Sequence, residues 1–199
     1  MSLHYASITV ELREVFLADK PDAMLALSSK GTVPVLQLPD QVLHESLDVM
    51  HWALRQSDPE NWLRHELQDQ TAALIETNDG PFKTHLDHYK YWDRYPAESQ
   101  ATYRQRAEEF LIQLETLLTS HRFLLADRPT LADIAIFPFI RQFAFVDKPW
   151  FDQSAYSQLQ NWLDYFLNSS HFMGSMKKMP AWQPGDQTRL FPWPSSDAD

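Results

Sequence analysis

The chain contains no cysteine, which excludes disulfide staples, thiolate metal sites and a thiol nucleophile of its own. Any thiol chemistry has to be brought by a ligand. Basic residues are scarce: 17 Lys and Arg stand against 27 Asp and Glu, a formal charge of −10 that repels a phosphate backbone. Nucleic acid is therefore not an expected partner. No apolar run approaches the about 18 residues that a membrane span requires. The opening "MSLHYASITVELREV" has no basic stretch followed by an apolar one. No membrane partner is assigned, and a cytoplasmic location is expected. Only four glycines occur, while 44% of the 199 residues are hydrophobic. That composition suits a helix-rich globular chain with one large domain or two small ones.

Residues 8 to 15 alternate, with Ile8, Val10 and Leu12 on one side and Thr9, Glu11 and Arg13 on the other, which is the period of a strand. A short helix is expected from Asp22 to Leu27, ending near Gly31, and the apolar run Val33 to Leu38 reads as a second strand. Pro39-Asp40 supply turn chemistry, so Val42 to His44 can return as a hairpin partner. Ser46 suits a helix N-cap, and Leu47, Met50 and Leu54 recur at helical spacing to about Arg55. From residue 56 the pattern is helical alone. Trp62, Leu63, Leu67, Leu74 and Ile75 mark one helix, broken at Asn78-Asp79-Gly80-Pro81 and resumed through Tyr91. Ala107, Phe110, Leu111, Leu114, Leu117 and Leu118 form an apolar stripe. "TLADIAIFPFIRQFAF" is apolar on nearly every side, as the central helix of a bundle is, and Leu159, Trp162, Leu163 and Phe166 define a last helix. Boundaries follow: an α/β unit over 1–55, a linker over 56–61, and a helical unit over 62–199 with an irregular tail from about Pro180.

Val33-Pro34 sits inside a strand pattern, although proline cannot donate to a ladder. It can lie on an edge, mark a bulge beside Gly31, or be cis, the isomer of about 5–6% of X-Pro bonds in folded proteins. The hairpin runs directly into Glu45-Ser46 at a helix start. A carboxylate, a hydroxyl and helix N-terminal amides suit an α-amino acid group. A cis Pro34 would leave the Val33 N–H and C=O for an extended ligand. The combination describes a groove for a peptide-like molecule.

"GTVPVLQL" followed by "LHESLDVMHWAL" resembles the second half of the thioredoxin-like domain of cytosolic glutathione transferases, and the helical remainder resembles their C-terminal domain. The resemblance implies an α/β plus all-α fold: an incomplete thioredoxin-like domain followed by the all-helical domain. It implies that the Val33 backbone, before a cis Pro34, pairs with the cysteinyl part of glutathione, and that Glu45 and Ser46 hold the γ-glutamyl end. "DKP" is similar to the omega-like branch, in which Lys20 would contact the glycine end. Glutathione is then the co-substrate, transferred to or from a small electrophilic or disulfide substrate, and a homodimer is implied. The alternative is a non-catalytic binding or interaction module of the same fold. Measured against the family, "HYASITVELREV" resembles the end of the first helix and the second strand. An upstream strand, loop and helix, with the residue that meets the glutathione sulfur, would be absent. No catalytic residue is assigned, reduced activity is expected, and Ser2 is expected to be disordered. Without the first strand, the strands at 8–15 and 33–38 would each have an open edge.

"TLAD" places Asp133 three residues after Thr130, a capping box at the start of the apolar helix, and the same box occurs in the resembling family. Both residues are structural in this reading. Tyr89, Tyr91 and Trp92 belong to a segment that borders the acceptor pocket in that family. His85 and His88 stand three apart but lack a third ligand at a recognisable spacing, so no metal is assigned. Trp150, Phe151, Trp182, Phe191 and Trp193 read as packing of the tail onto the helical unit.

Overall fold

The computed structural model describes residues 1–193. In chain order its elements begin with α1 (Ser2–Tyr5), β1 (Val10–Glu11), α2 (Asp22–Leu27), β2 (Leu36–Gln37), β3 (Val42–Leu43) and α3 (Ser46–Gln56). Helices α4 (Gln68–Thr77), α5 (Lys83–Lys90), α6 (Gln100–Ser120), α7 (Leu131–Ala144), α8 (Lys148–Gln153), α9 (Ser157–Leu167) and α10 (Ser170–Ser175) follow, and β4 (Leu190–Phe191) comes last. The chain divides into two units: Met1–Glu60 with the segment from Ser170 onward, and Asn61–Ser169. This corrects the expected boundary at the tail. The segment after Ser169 belongs with the first unit, because its backbone and aromatic rings find their partners there.

In the first unit, β2 and β3 form the expected hairpin, with Leu36 opposite Leu43 and Gln37 opposite Val42. The Leu38 N–H closes the turn on the Gln41 carbonyl at 2.8 Å. β1 is shorter than its alternating pattern, and its antiparallel partner is the tail strand β4, with Val10 opposite Phe191 and Glu11 opposite Leu190. The edge expected to be open at β1 thus carries a strand from the other end of the sequence. The Leu12 N–H donates to the Arg189 carbonyl at 2.7 Å and the Trp182 N–H to the Glu14 carbonyl at 2.8 Å. The Arg13 guanidinium lies 4.6 Å from the Trp182 ring centre. Trp182 and Phe191 therefore pack on the first unit, and Trp193 follows Phe191 at 5.8 Å between rings. The tail beyond residue 193 lies outside the described residues. Ser2, expected to be disordered, is the first residue of α1 and is buried.

In the helical unit, α7 is the central element, and every residue from Leu131 to Phe137 is buried. Phe137 packs against Trp162 and Phe166 of α9 at 6.2 and 5.3 Å between ring centres. Burial of each such side chain contributes about 1.5–3 kcal/mol, and several together outweigh the about 3 kcal/mol cost of the interior Pro138, an exposed residue of α7. Two expectations need correction. The helix marked from Trp62 begins only at Gln68, because Asn61 (φ 58°) and Arg64 (φ 36°) take left-handed backbone. The supposed break at 78–81 is a π-helical turn over Asn78–Phe82, with Pro81 inside it, that leads into α5. Helix α8 had no apolar stripe to reveal it; it is started by the Asp147 carboxylate, which accepts the Trp150 N–H at 3.1 Å.

The capping box at α7 is present and reaches beyond capping. Asp133 Oδ2 accepts the Thr130 N–H and hydroxyl, both at 2.8 Å. Its Oδ1 accepts the Leu124 N–H at 3.0 Å and the Trp162 Nε1–H at 2.8 Å. Burial pushes this carboxyl up, against the pull of its four donors.

Candidate glutathione-binding site

The candidate groove starts at the turn after α2. The Gly31 N–H donates to the Ser28 carbonyl at 3.1 Å, and Gly31 takes φ +60°, a conformation glycine adopts without steric cost. A Cβ there would lie 3.4 Å from Leu25 Cδ2 and 3.9 Å from Lys20 Nζ, so the Lys20 ammonium borders the turn that leads to Val33. The buried Ser28 hydroxyl meets His44 Nδ1 at 3.0 Å. That contact fastens the turn to the end of β3.

The Val33-Pro34 bond is cis. Val33 is 48% exposed, and among the described residues no hydrogen bond takes up its N–H or C=O. β2 and β3 then carry the chain back to Glu45-Ser46. Ser46 was expected to be the N-cap; Glu45 instead holds that position, with extended backbone, and Ser46 is the first residue of α3. The reason is in the backbone: the Glu45 carbonyl accepts the Val49 N–H at 3.1 Å, the first bond of the helix. Both side chains are exposed at the helix start, where amides and dipole favour an anion.

Sequence reasoning missed Lys30. Its Nζ lies 2.5 Å from Glu45 Oε1. The hydrogen bond and charge of Lys30 hold the Glu45 carboxyl below its ordinary range, and the same bond raises Lys30. Fifteen positions separate the two residues, and no helix or strand period links them. A lysine directly before the turn glycine was the available signal.

The residues expected to border an acceptor divide. Tyr89 is buried, with its ring 5.1 Å from that of Phe143, so it belongs to the helical core. Tyr91 is flanked by Lys90 at 4.8 Å and Arg94 at 4.6 Å from its ring centre, and Trp92 is exposed. The His88 and Tyr95 rings pack at 4.1 Å between centres, tilted by 44°. No group of three or more potential metal ligands occurs among the described residues.

Two family models match: the glutathione S-transferase N-terminal domain over residues 1–62 and the glutathione S-transferase C-terminal domain over residues 81–164. The chain belongs to the glutathione S-transferase family. Its fold is that of the family, a thioredoxin-like N-terminal domain with a helical C-terminal domain. Among solved structures it is similar to BphK, a bacterial glutathione S-transferase in a ternary complex, at 22% identity and TM-score 0.74, covering 88% of this chain and 90% of that one. The glutathione S-transferase from Xylella fastidiosa shares 16% identity at TM-score 0.73, with 88% and 89% covered. A glutathione S-transferase-I bound with lactoylglutathione shares 20% identity at TM-score 0.71, with 86% and 88% covered. Comparison with curated proteins returns no match. No helix among the described residues is long and apolar enough to cross a membrane.

Proposed function

We propose that this family member binds glutathione along the hairpin groove and transfers it to or from electrophilic or disulfide-type substrates. The Val33 main chain, on the approach to Pro34, pairs with the cysteinyl unit. The γ-glutamyl carboxylate meets Ser46 and the first amides of α3, and its ammonium meets Glu45. Lys20 takes the glycine carboxylate, as the omega-like resemblance implies. The carrying observation is the unengaged Val33 backbone on the same hairpin that ends at the exposed Glu45-Ser46 pair. A structural relative that holds lactoylglutathione supports the ligand class. Tyr91 and Trp92 are assigned to the acceptor side. A homodimer and a cytoplasmic location belong to the same reading; light scattering at twice the 23.3 kDa chain mass would establish the dimer.

Calorimetric titration with glutathione tests the site. A saturable isotherm that Glu45→Ala weakens supports it, and a featureless titration of the folded protein rejects it. A second reading is a binding module without turnover, since no residue of the chain is assigned to meet the glutathione sulfur. Conjugation to a chloronitrobenzene and exchange with a disulfide, assayed beside binding, separate the two: binding without either activity selects the module.

A further inference from the structure

Glu45, the residue assigned to the ligand's ammonium, already has an ammonium partner in this chain: Lys30 Nζ at 2.5 Å from Oε1. We propose that Lys30 is an exchangeable counter-ion and specificity residue, which glutathione's α-ammonium must displace from Glu45 in order to bind. The inference rests on the glutathione reading of the groove. Its physical basis is charge. Two ammonium groups on one carboxylate repel each other, so binding either expels Lys30 or bears that repulsion, and in both cases Lys30 weakens the complex.

The exchange is feasible because the pair is open to water. Both side chains are 57% exposed, and exposed ion pairs are weak and screened by salt. Lys30 also has somewhere to go. Asp48, in the first turn of α3, adds its charge to that of Glu45 in raising Lys30, so a second carboxylate acts on the released ammonium. Lys30 thus penalises ligands that bring their own cation to Glu45. A γ-acyl group without the amine leaves the internal pair intact.

The test compares wild type with Lys30→Met, an exposed change of similar length, using two probes in calorimetric titrations. One probe is S-methylglutathione; the other is the same peptide with glutaryl in place of γ-glutamyl, which keeps the carboxylate and lacks the amine. Lys30→Met should bind S-methylglutathione about 1.5- to 5-fold more tightly, the range an exposed ion pair spans. Its affinity for the glutaryl probe should be unchanged, and the gain on the first probe should shrink at high ionic strength. Equal or weaker binding of S-methylglutathione by Lys30→Met overturns the exchange and leaves the groove standing. An equal gain on both probes also overturns it, since the effect would not depend on the amine. If neither protein binds S-methylglutathione, the glutathione reading fails and the exchange falls with it.

Discussion

His4 Nδ1 and His171 Nδ1 lie 3.1 Å apart, although 167 positions separate the two residues. A hydrogen bond between two ring nitrogens needs one proton, so one imidazole donates and the other accepts. The Tyr5 ring meets His171 edge-on at 5.5 Å, and Phe191 of β4 lies 6.3 Å from His4. A Cβ on Gly174 would come within 2.5 Å of His4 Nε2, so any larger residue there would push the His4 ring aside. The pair joins α1, α10 and the tail strand within the first unit.

This contact makes the tail sensitive to acid. Burial is the first cause pushing both imidazoles below 6.5. The Met1 α-amino group pushes both further in the same direction, His4 adds its charge on His171, and Glu60 opposes it there. A histidine depressed in the folded state contributes stability that is complete above 6.5 and is lost as pH falls through its folded value. As pH falls from about 7.5 to 5.5, the amide protection factors at Leu12 and Trp182, which report the tail's backbone bonds and are corrected for the intrinsic pH dependence of exchange, should drop while those of α7 hold. His171→Gln should flatten that dependence. Equal protection at both pH values would show that the pair does not hold the tail.

Asp133 should be costly to remove. Asp133→Ala leaves the Leu124 N–H, the Thr130 N–H and the Trp162 Nε1–H without their buried acceptor. At about 1–3 kcal/mol for each orphaned donor, stability should drop by at least about 3 kcal/mol, more than the about 0.5–2 kcal/mol of a lost cap alone. Urea denaturation measures it. A loss below 1 kcal/mol would mean that water reaches the site and replaces the carboxylate.

Tyr5 carries a smaller share. Its hydroxyl donates to Asp58 Oδ1 at 2.8 Å and accepts the Glu60 N–H at 2.6 Å, tying α1 to the segment after α3. Burial first, then bonding to Asp58, raises this phenol, and the Glu60 N–H opposes the rise. Tyr5→Phe should cost about 1–3 kcal/mol for the unpaired groups, read from the denaturation midpoint at unchanged slope.

Gly31→Ala tests the shape of the groove. With φ at +60° an alanine is strained by about 1–2 kcal/mol, while its Cβ would sit in ordinary contact with Leu25 at 3.4 Å. Stability should fall by about that amount, and glutathione affinity should fall with it. Unchanged affinity in the destabilised variant would place the ligand away from this turn.

Glu45→Ala should weaken glutathione by up to about 5-fold, the range of an exposed ion pair, without lowering the melting temperature, because Glu45 is exposed. Ser46→Ala should weaken it less, since the α3 amides remain. A Glu45→Ala protein that binds as wild type does would move the γ-glutamyl end elsewhere.

Much of the architecture was readable from order along the chain. α2, the β2–β3 hairpin, α3, the buried α7 and its Thr130-Asp133 box each depend on neighbours within a few turns, and so does the cis Val33-Pro34 bond. Periodicity and turn chemistry act over that range. The late start of α4, set by Arg64, and the π-helical turn at Pro81 were not readable, because interior packing overrides local preference there.

What lay beyond reach in one dimension was pairing between distant segments. The tail was read as packing on the helical unit, yet β4 pairs with β1, His171 meets His4, and Trp182 lies under Arg13. Each contact is short-ranged in space and long-ranged along the chain, so no local pattern encodes it. The same holds for Lys30 on Glu45 and for Trp162 on Asp133. The sequence by itself determined the lack of a thiol of its own, the hairpin from Val33-Pro34 to Glu45-Ser46 and the motifs that carry the family resemblance; the partners of the charged and aromatic groups were chosen by folding, because only a packed chain brings them within bonding distance.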